Sequence, residues 1–162
     1  AILIHVLPLI HFFPGKMIHN ICDQQNDIQL EPDSQGFIHS PNFPGELGDE
    51  ISCSSKIRQP EGCGIRFKLL HMDLQTAQNF RCSDYLRITA NPFDKDSSRS
   101  HQVPYHNKTL CGFKEYDIQY EETLLGPVEV SLFTSFHAET YSALTGFLLE
   151  YTVTAGKNHQ HI

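Results

Sequence analysis

Polar and apolar residues alternate at period two along much of this chain, and no window keeps a helical period. In residues 63–70, Ile65, Phe67 and Leu69 fall on one face and Arg66 and Lys68 on the other, as in a half-buried strand. Residues 80–89 repeat the pattern, with Leu86 and Ile88 set against Tyr85 and Arg87. Residues 128–133 and 147–153 predict two more strands, and Phe147, Leu149, Tyr151 and Val153 form an inward row. Phe37 and His39 alternate with Ile38 and Ser40, and a strand should end at Pro41-Asn42-Phe43-Pro44, because proline cannot donate to a ladder. Ser52–Arg58 reads as a short strand. After it, Gln59-Pro60-Glu61-Gly62 supplies a preset φ and a residue tolerant of positive φ, so residues 52–70 predict a hairpin. The polar stretch 18–35 suits a loop or sheet edge, residues 45–50 a turn-rich connection, and residues 91–107 a long surface loop. The fold class expected is all-β, a sandwich of two antiparallel sheets.

A length of 162 residues is one domain of ordinary size, with a globular balance of 40% hydrophobic and 19% charged residues. The net charge of −7, with Lys and Arg scattered, excludes a phosphate-backbone binder, so no nucleic-acid partner is expected. Five cysteines without a Cys-x-x-Cys pair do not suit a zinc ribbon; they suit disulfides and an oxidising compartment. Asn107-Lys108-Thr109 is an N-glycosylation acceptor triplet, which points to the same compartment. The apolar run 1–13 is too short to span a bilayer, which takes about 20 residues. It resembles the apolar core of a secretory leader, although no starting Met and no small-residue cleavage site accompany it. Residues 1–21 are therefore expected to be a signal-peptide remnant or N-terminal tail, 22–154 the domain, and 155–162 a polar tail.

Five motifs in order resemble the CUB domain family, over residues 22–154. Gly36-Phe37-Ile38-His39-Ser40-Pro41-Asn42-Phe43-Pro44 matches the family's Gly-x-Ile-x-Ser-Pro-Asn-aromatic-Pro. Cys53, Ile57, Pro60, Gly62 and Ile65 follow at the family's spacing, then Cys82-Ser83-Asp84-Tyr85-Leu86-Arg87-Ile88, then Cys111-Gly112, then Gly146-Phe147 with Tyr151. The resemblance implies a secreted, disulfide-stabilised, jelly-roll β-sandwich of the CUB type. Two departures stand out: Ser55 replaces an aromatic, usually Trp, and Cys63 is extra, as in some arthropod CUB-like proteins. The family pattern implies Cys82–Cys111 and Cys22–Cys53, leaving Cys63 free. The alternative pairs Cys53 with Cys63 across the expected hairpin, leaving Cys22 free or bonded to another chain.

Many members of this family bind calcium, which takes hard oxygen donors from several loops. The resemblance places the family's tyrosine at Leu47, its glutamate at Gln75 and its later aspartate at Phe136; Asp84 survives, one residue nearer its cysteine. Asp73 and Glu139 are the other weak metal candidates, so no cofactor is expected and calcium is disfavoured. Dispersed histidines such as His71, His101, His106 and His137 suit a polar surface, and His159 and His161 lie in the tail. No Gly-x-Ser-x-Gly, His-Glu-x-x-His or phosphate-cradling glycine loop is present, so no catalytic residue is assigned. Binding through loops remains, within residues 75–81, 92–106 and 136–144, with Tyr105 and Tyr141 as candidate aromatic anchors. The resemblance implies a module that binds extracellular proteins and has no membrane span. Two alternatives are an accessory domain of a larger secreted protease and a spermadhesin-like glycan binder, for which Asn79-Phe80 and Tyr116-Asp117 are the places to look.

Overall fold

In the computed structural model, residues 17–23, 27–91, 106–114, 121–136 and 144–154 are described. They form eleven strands and no helix: β1 (Met17–Asn20), β2 (Asp27–Gln29), β3 (Gln35–His39), β4 (Ser52–Arg58), β5 (Gly64–Asp73), β6 (Tyr85–Ala90), β7 (His106–Leu110), β8 (Phe113–Lys114), β9 (Glu121–Leu124), β10 (Pro127–Phe133) and β11 (Gly146–Thr154). One sheet runs β1-β3-β11-β5, with β8 and β9 sharing the outer side of β5; the other runs β2-β4-β10-β6-β7. The core lies between their inner faces.

Both sheets are mixed, where two antiparallel sheets were expected. β1 lies parallel to β3, and β2 parallel to β4. The chain reaches these positions by crossing between the sheets: β1 borders one, β2 the other, and β3 returns to the first. A parallel neighbour needs such a crossover, since a tight turn joins only antiparallel strands. The polar stretch 18–35 thus supplies two short edge strands, and β1 brings Met17–Asn20, which precede Cys22, into the sheet.

The expected hairpin at residues 52–70 does not form. β4 pairs with β10 and β2, whereas β5 pairs with β11, β8 and β9, so residues 59–63 arch from one sheet to the other. Ser55 and Ile57 on β4 then face Ile65, Phe67 and Leu69 on β5 across the core. Turn chemistry is local and serves an arch as well as a hairpin; burying both apolar rows requires the arch. The arch also separates Cys63 from Cys53, which sits at the far end of β4. Cys53 is bonded to Cys22, Cys82 to Cys111, and Cys63 is a half-buried thiol packed on the core. The alternative bridge between Cys53 and Cys63 is not formed.

Phe147, Leu149, Tyr151 and Val153 all point inward and are buried. Leu148 is buried as well, on the outer face, where it meets Phe37, with Phe43 and Leu70 packed around the pair. The Pro41–Pro44 segment, with a cis bond between Phe43 and Pro44, lays Phe43 over this second cluster. The pairing of β5 with β11 shifts register between Leu148 and Leu149, which leaves Leu70 as an extra residue. A bulge inverts the alternation beyond it. Met72 and Leu74 therefore turn inward, and His71 turns outward under Phe43 and Phe113, at ring distances of 5.6 and 6.3 Å. Expected on a polar surface, His71 is instead buried.

Gly36 is required where β1, β3 and β11 meet: a Cβ there would collide with the Tyr151 phenol and the Met17 carbonyl. The Tyr151 hydroxyl lies 3.1 Å from His19 Nε2. Burial pushes the phenol up to about 12 and holds the His19 imidazole below its ordinary value, with Asp23 opposing that shift and His39 adding to it. Ser55, which stands where the family carries a ring, is buried and donates its hydroxyl to the Ile21 carbonyl at 3.2 Å. Ile21 fills core space beside it.

Candidate binding end of the sandwich

The connections β3–β4, β5–β6, β7–β8 and β10–β11 gather at one end, because Asp73 opposes both Gly146 and Phe113, and Phe133 opposes both Ser52 and Tyr85. Cys82–Cys111 staples the β5–β6 loop to the β7–β8 connection there.

Side-chain hydroxyls and two aspartates tie these loops together. Asp84 is fully buried, and its Oδ1 accepts hydrogen bonds from the backbone N–H and hydroxyl of Ser135, each at 3.0 Å. The Thr134 hydroxyl donates to the Gly48 carbonyl at 3.2 Å and accepts the Ile51 N–H at 2.9 Å. Asp73 Oδ2 accepts the N–H and hydroxyl of Thr145 at 3.0 and 3.1 Å. That hydroxyl lies 2.9 Å from His71 Nε2; its proton is already given to Asp73, so the imidazole is the donor. A nucleophile needs a base that takes its proton and a carboxylate that orients the base. Here the carboxylate holds the hydroxyl and the imidazole is buried, so the trio anchors the start of β11 to β5.

Among the described residues, the oxygen donors of a calcium site are only partly present. Leu47, at the tyrosine position, is a core residue whose N–H binds the Leu144 carbonyl at 2.6 Å. Gln75 Oε1 accepts the Ser83 hydroxyl at 2.9 Å, and the later aspartate position holds the exposed Phe136. Asp73 and Asp84 each commit an oxygen to protein donors. Among the described residues, no group of three or more His, Cys, Asp or Glu is disposed to hold a metal. Glu139 lies outside the described residues, as do Tyr105, Tyr141 and Tyr116-Asp117.

The β5–β6 loop carries the most exposed aromatic ring among the described residues. Gln78 and Arg81 exchange both backbone hydrogen bonds at 3.0 Å, closing a two-residue turn over Asn79 and Phe80. Both turn residues lie in the left-handed region, at φ of 51° and 61°. Such a turn is the ordinary way to reverse a two-stranded ribbon, and asparagine suits it. Phenylalanine does not, because its Cβ crowds the backbone at positive φ. Phe80 is nevertheless held there, 105% exposed, beside an open recess of about 590 Å³ lined by Gln78, Asn79, Arg81, Cys82 and Ser83. Phe136, on the β10–β11 loop at the same end, is 68% exposed. The expected strand 80–89 was too long at its start: β6 begins at Tyr85, and Phe80 belongs to the loop.

Comparison with known proteins agrees with this architecture. A family model described as CUB domain matches residues 22–151. Complement C1s subcomponent of Sus scrofa is 36% identical over 52 residues, which is 32% of this chain and 8% of that protein's length. The CUB1-EGF-CUB2 domain of human MASP-1/3 superposes with a TM-score of 0.58 at 19% identity, covering 75% of this chain and 42% of that one. The MASP-1 CUB2 domain bound to Ca²⁺ superposes with a TM-score of 0.55 at 19% identity, covering 80% of this chain and 98% of that one. At such identities the superpositions speak for the fold alone. With five motifs in order, a mixed two-sheet sandwich stapled by two disulfides and a family model spanning most of its length, the chain belongs to the CUB domain family.

Proposed function

We propose that this chain is an extracellular, non-catalytic binding module that engages a protein partner through the loop end bearing Phe80 and Phe136, without a strong calcium site. The observation that carries this reading is Phe80, a bulky ring in a left-handed turn and fully in water. Exposing a ring and straining its backbone both cost free energy, and such outliers gather at recognition sites. Cys82–Cys111 and the Asp84–Ser135 hydrogen bonds anchor the chain beside Phe80 and Phe136. Little ordering entropy is then left to lose on binding. Aromatic anchors on rigid loops are the usual centres of protein interfaces. The two disulfides favour an oxidising, extracellular setting.

The test is equilibrium binding of the folded protein to arrays of immobilised extracellular proteins and immobilised glycans. The proposal expects a protein ligand whose affinity falls at least tenfold in Phe80→Ala and Phe136→Ala, unchanged by a calcium chelator. Binding confined to sugars would favour the spermadhesin-like alternative. Micromolar calcium affinity by calorimetry, lost in Asp84→Ala, would overturn the calcium part. The match to complement C1s subcomponent supports a second reading, an accessory domain of a larger secreted protease. A peptide map of the natural protein that continues past Ile162 into a protease domain would establish it.

A further inference from the structure

We propose that Asn107 carries an N-linked oligosaccharide, and that this glycan shields the β7 edge of the second sheet from pairing with another chain. β7 is the last strand of that sheet among the described residues, joined by β6 alone. An edge strand presents N–H and C=O groups to any passing strand, so stable β proteins blunt it.

The register decides which side chains stand where. Leu86, Ile88 and Ala90 of β6 are buried in the core, so Arg87 and Thr89 point to the outer face. Opposed residues share a face. Asn107 opposes Thr89 and Thr109 opposes Arg87, so both termini of the acceptor triplet project outward, and both are exposed. The Arg87 Nε–H donates to the Thr109 hydroxyl at 3.2 Å, and its guanidinium lies 4.4 Å from the Tyr85 ring centroid. Arg87, diagonal to Asn107 in this register, is thus engaged by Thr109 and Tyr85, and Asn107 itself is exposed. The middle residue, Lys108, opposes the buried Ile88 and so occupies an inward register position, yet it is exposed. An inward charge on an edge strand is a known guard against edge-to-edge pairing. A bulky, hydrated oligosaccharide on the neighbouring residue adds a second guard, on the outer face.

The acceptor chemistry needs one co-reactant, a lipid-diphosphate-linked oligosaccharide. Asn107 Nδ2 forms a bond to C1 of the first N-acetylglucosamine while the C1–O bond to the diphosphate breaks. The diphosphate leaves with the bonding pair, and Nδ2 gives up one proton. The threonine two residues on is part of what the transferase reads.

The proposal rests on the extracellular reading, because the donor is met only in the secretory compartment. Supplying a secretory leader makes the test independent of that reading. The full chain is secreted from a eukaryotic cell line, and its peptides are mapped by mass spectrometry before and after peptide-N-glycosidase treatment in heavy-oxygen water. The expected result is a glycosylated peptide at Asn107 that acquires the label as aspartate, is absent in Thr109→Ala and returns in Thr109→Ser. A bare Asn107 in secreted, disulfide-bonded protein overturns the site. The shielding role is read by sedimentation velocity across a concentration series, using Asn107→Gln and, in case that variant fails to fold, the folded wild type deglycosylated by enzyme. Glycosylated protein should stay monomeric, and the sugar-free forms should shift to dimers and larger species. Sugar-free protein that remains monomeric throughout overturns the shield.

Discussion

Replacing Asp84 by alanine removes a fully buried carboxylate whose Oδ1 accepts two hydrogen bonds from Ser135, each at 3.0 Å. Hydrogen bonds to a charged group contribute about 1.5–3 kcal/mol each, so this pair contributes about 3–6 kcal/mol at most. Two effects lower it. Ser135 is only half-buried, so its freed N–H and hydroxyl regain water. Alanine also relieves the cost of keeping an ionised group away from solvent. The expected loss is about 2–4 kcal/mol. At a urea slope of about 2 kcal/mol per molar, that lowers the unfolding midpoint by about 1–2 M. Asp84→Asn keeps an Oδ1 acceptor and loses the charge, so about 1 kcal/mol is expected.

The same titration separates this structural role from a calcium-binding one. A micromolar site in millimolar calcium would add about 4 kcal/mol to the wild type, through mass action on the folded state. That gain would vanish in the variant. The hydrogen-bond account expects equal wild-type midpoints in calcium and in chelator, with Asp84→Ala lowered by the same amount in both. An unchanged midpoint in Asp84→Ala, or a calcium-dependent gain present in the wild type alone, would refute the reasoning.

Two further outcomes follow from β1, β3 and β11. Gly36→Ala drives a Cβ into the Tyr151 phenol and the Met17 carbonyl, and should cost about 1–3 kcal/mol by overpacking; a wild-type urea midpoint would show that β1 yields freely. His19 is held below its ordinary value by burial, so between 6.5 and that depressed value the unfolded chain binds a proton that the folded chain refuses. Stability from this group is complete above 6.5 and falls as pH drops through the window. Asp23, His39 and Tyr151 are the groups around it, and His19→Gln should flatten the midpoint-against-pH slope there. Identical slopes in the two proteins would remove His19 as the cause.

The strands that were legible are those whose two faces see different solvents. β5, β6, β10 and β11 carry inward apolar rows, and burial alternates cleanly along β6 and β10, whereas the bulge in β5 and the outer cluster around Leu148 in β11 break it. β1, β2 and β7 were not legible: at the edges of the sheets, pairing rather than apolar burial holds residues such as His19, Gln29 and Thr109 in place. His71 escaped for a different reason. The bulge at Leu70 changes the phase of alternation, and no period-two count shows that His71 lands beneath Phe43 and Phe113. The arch at residues 59–63 escaped because proline and glycine encode a reversal without saying whether the strand beyond joins the same sheet.

At the loop end, Asp84 was visible through its motif, whereas its partner Ser135 was not, because a hydroxyl's partner is settled by chain folding across a separation of 51 residues. Phe80 is more instructive. Its apolar ring invited a strand assignment, since a phenylalanine in water and at positive φ contradicts both burial and backbone preference. Lys108 contradicts the pattern in the opposite sense, a charge at an inward register position. A sequence that agrees with its fold at every other level breaks local rules where something outside the fold has to be met or kept away. On the readings proposed above, Phe80 faces the first demand, with a ring offered to a partner, and Lys108 beside Asn107 faces the second, on the edge where an unwanted strand would add.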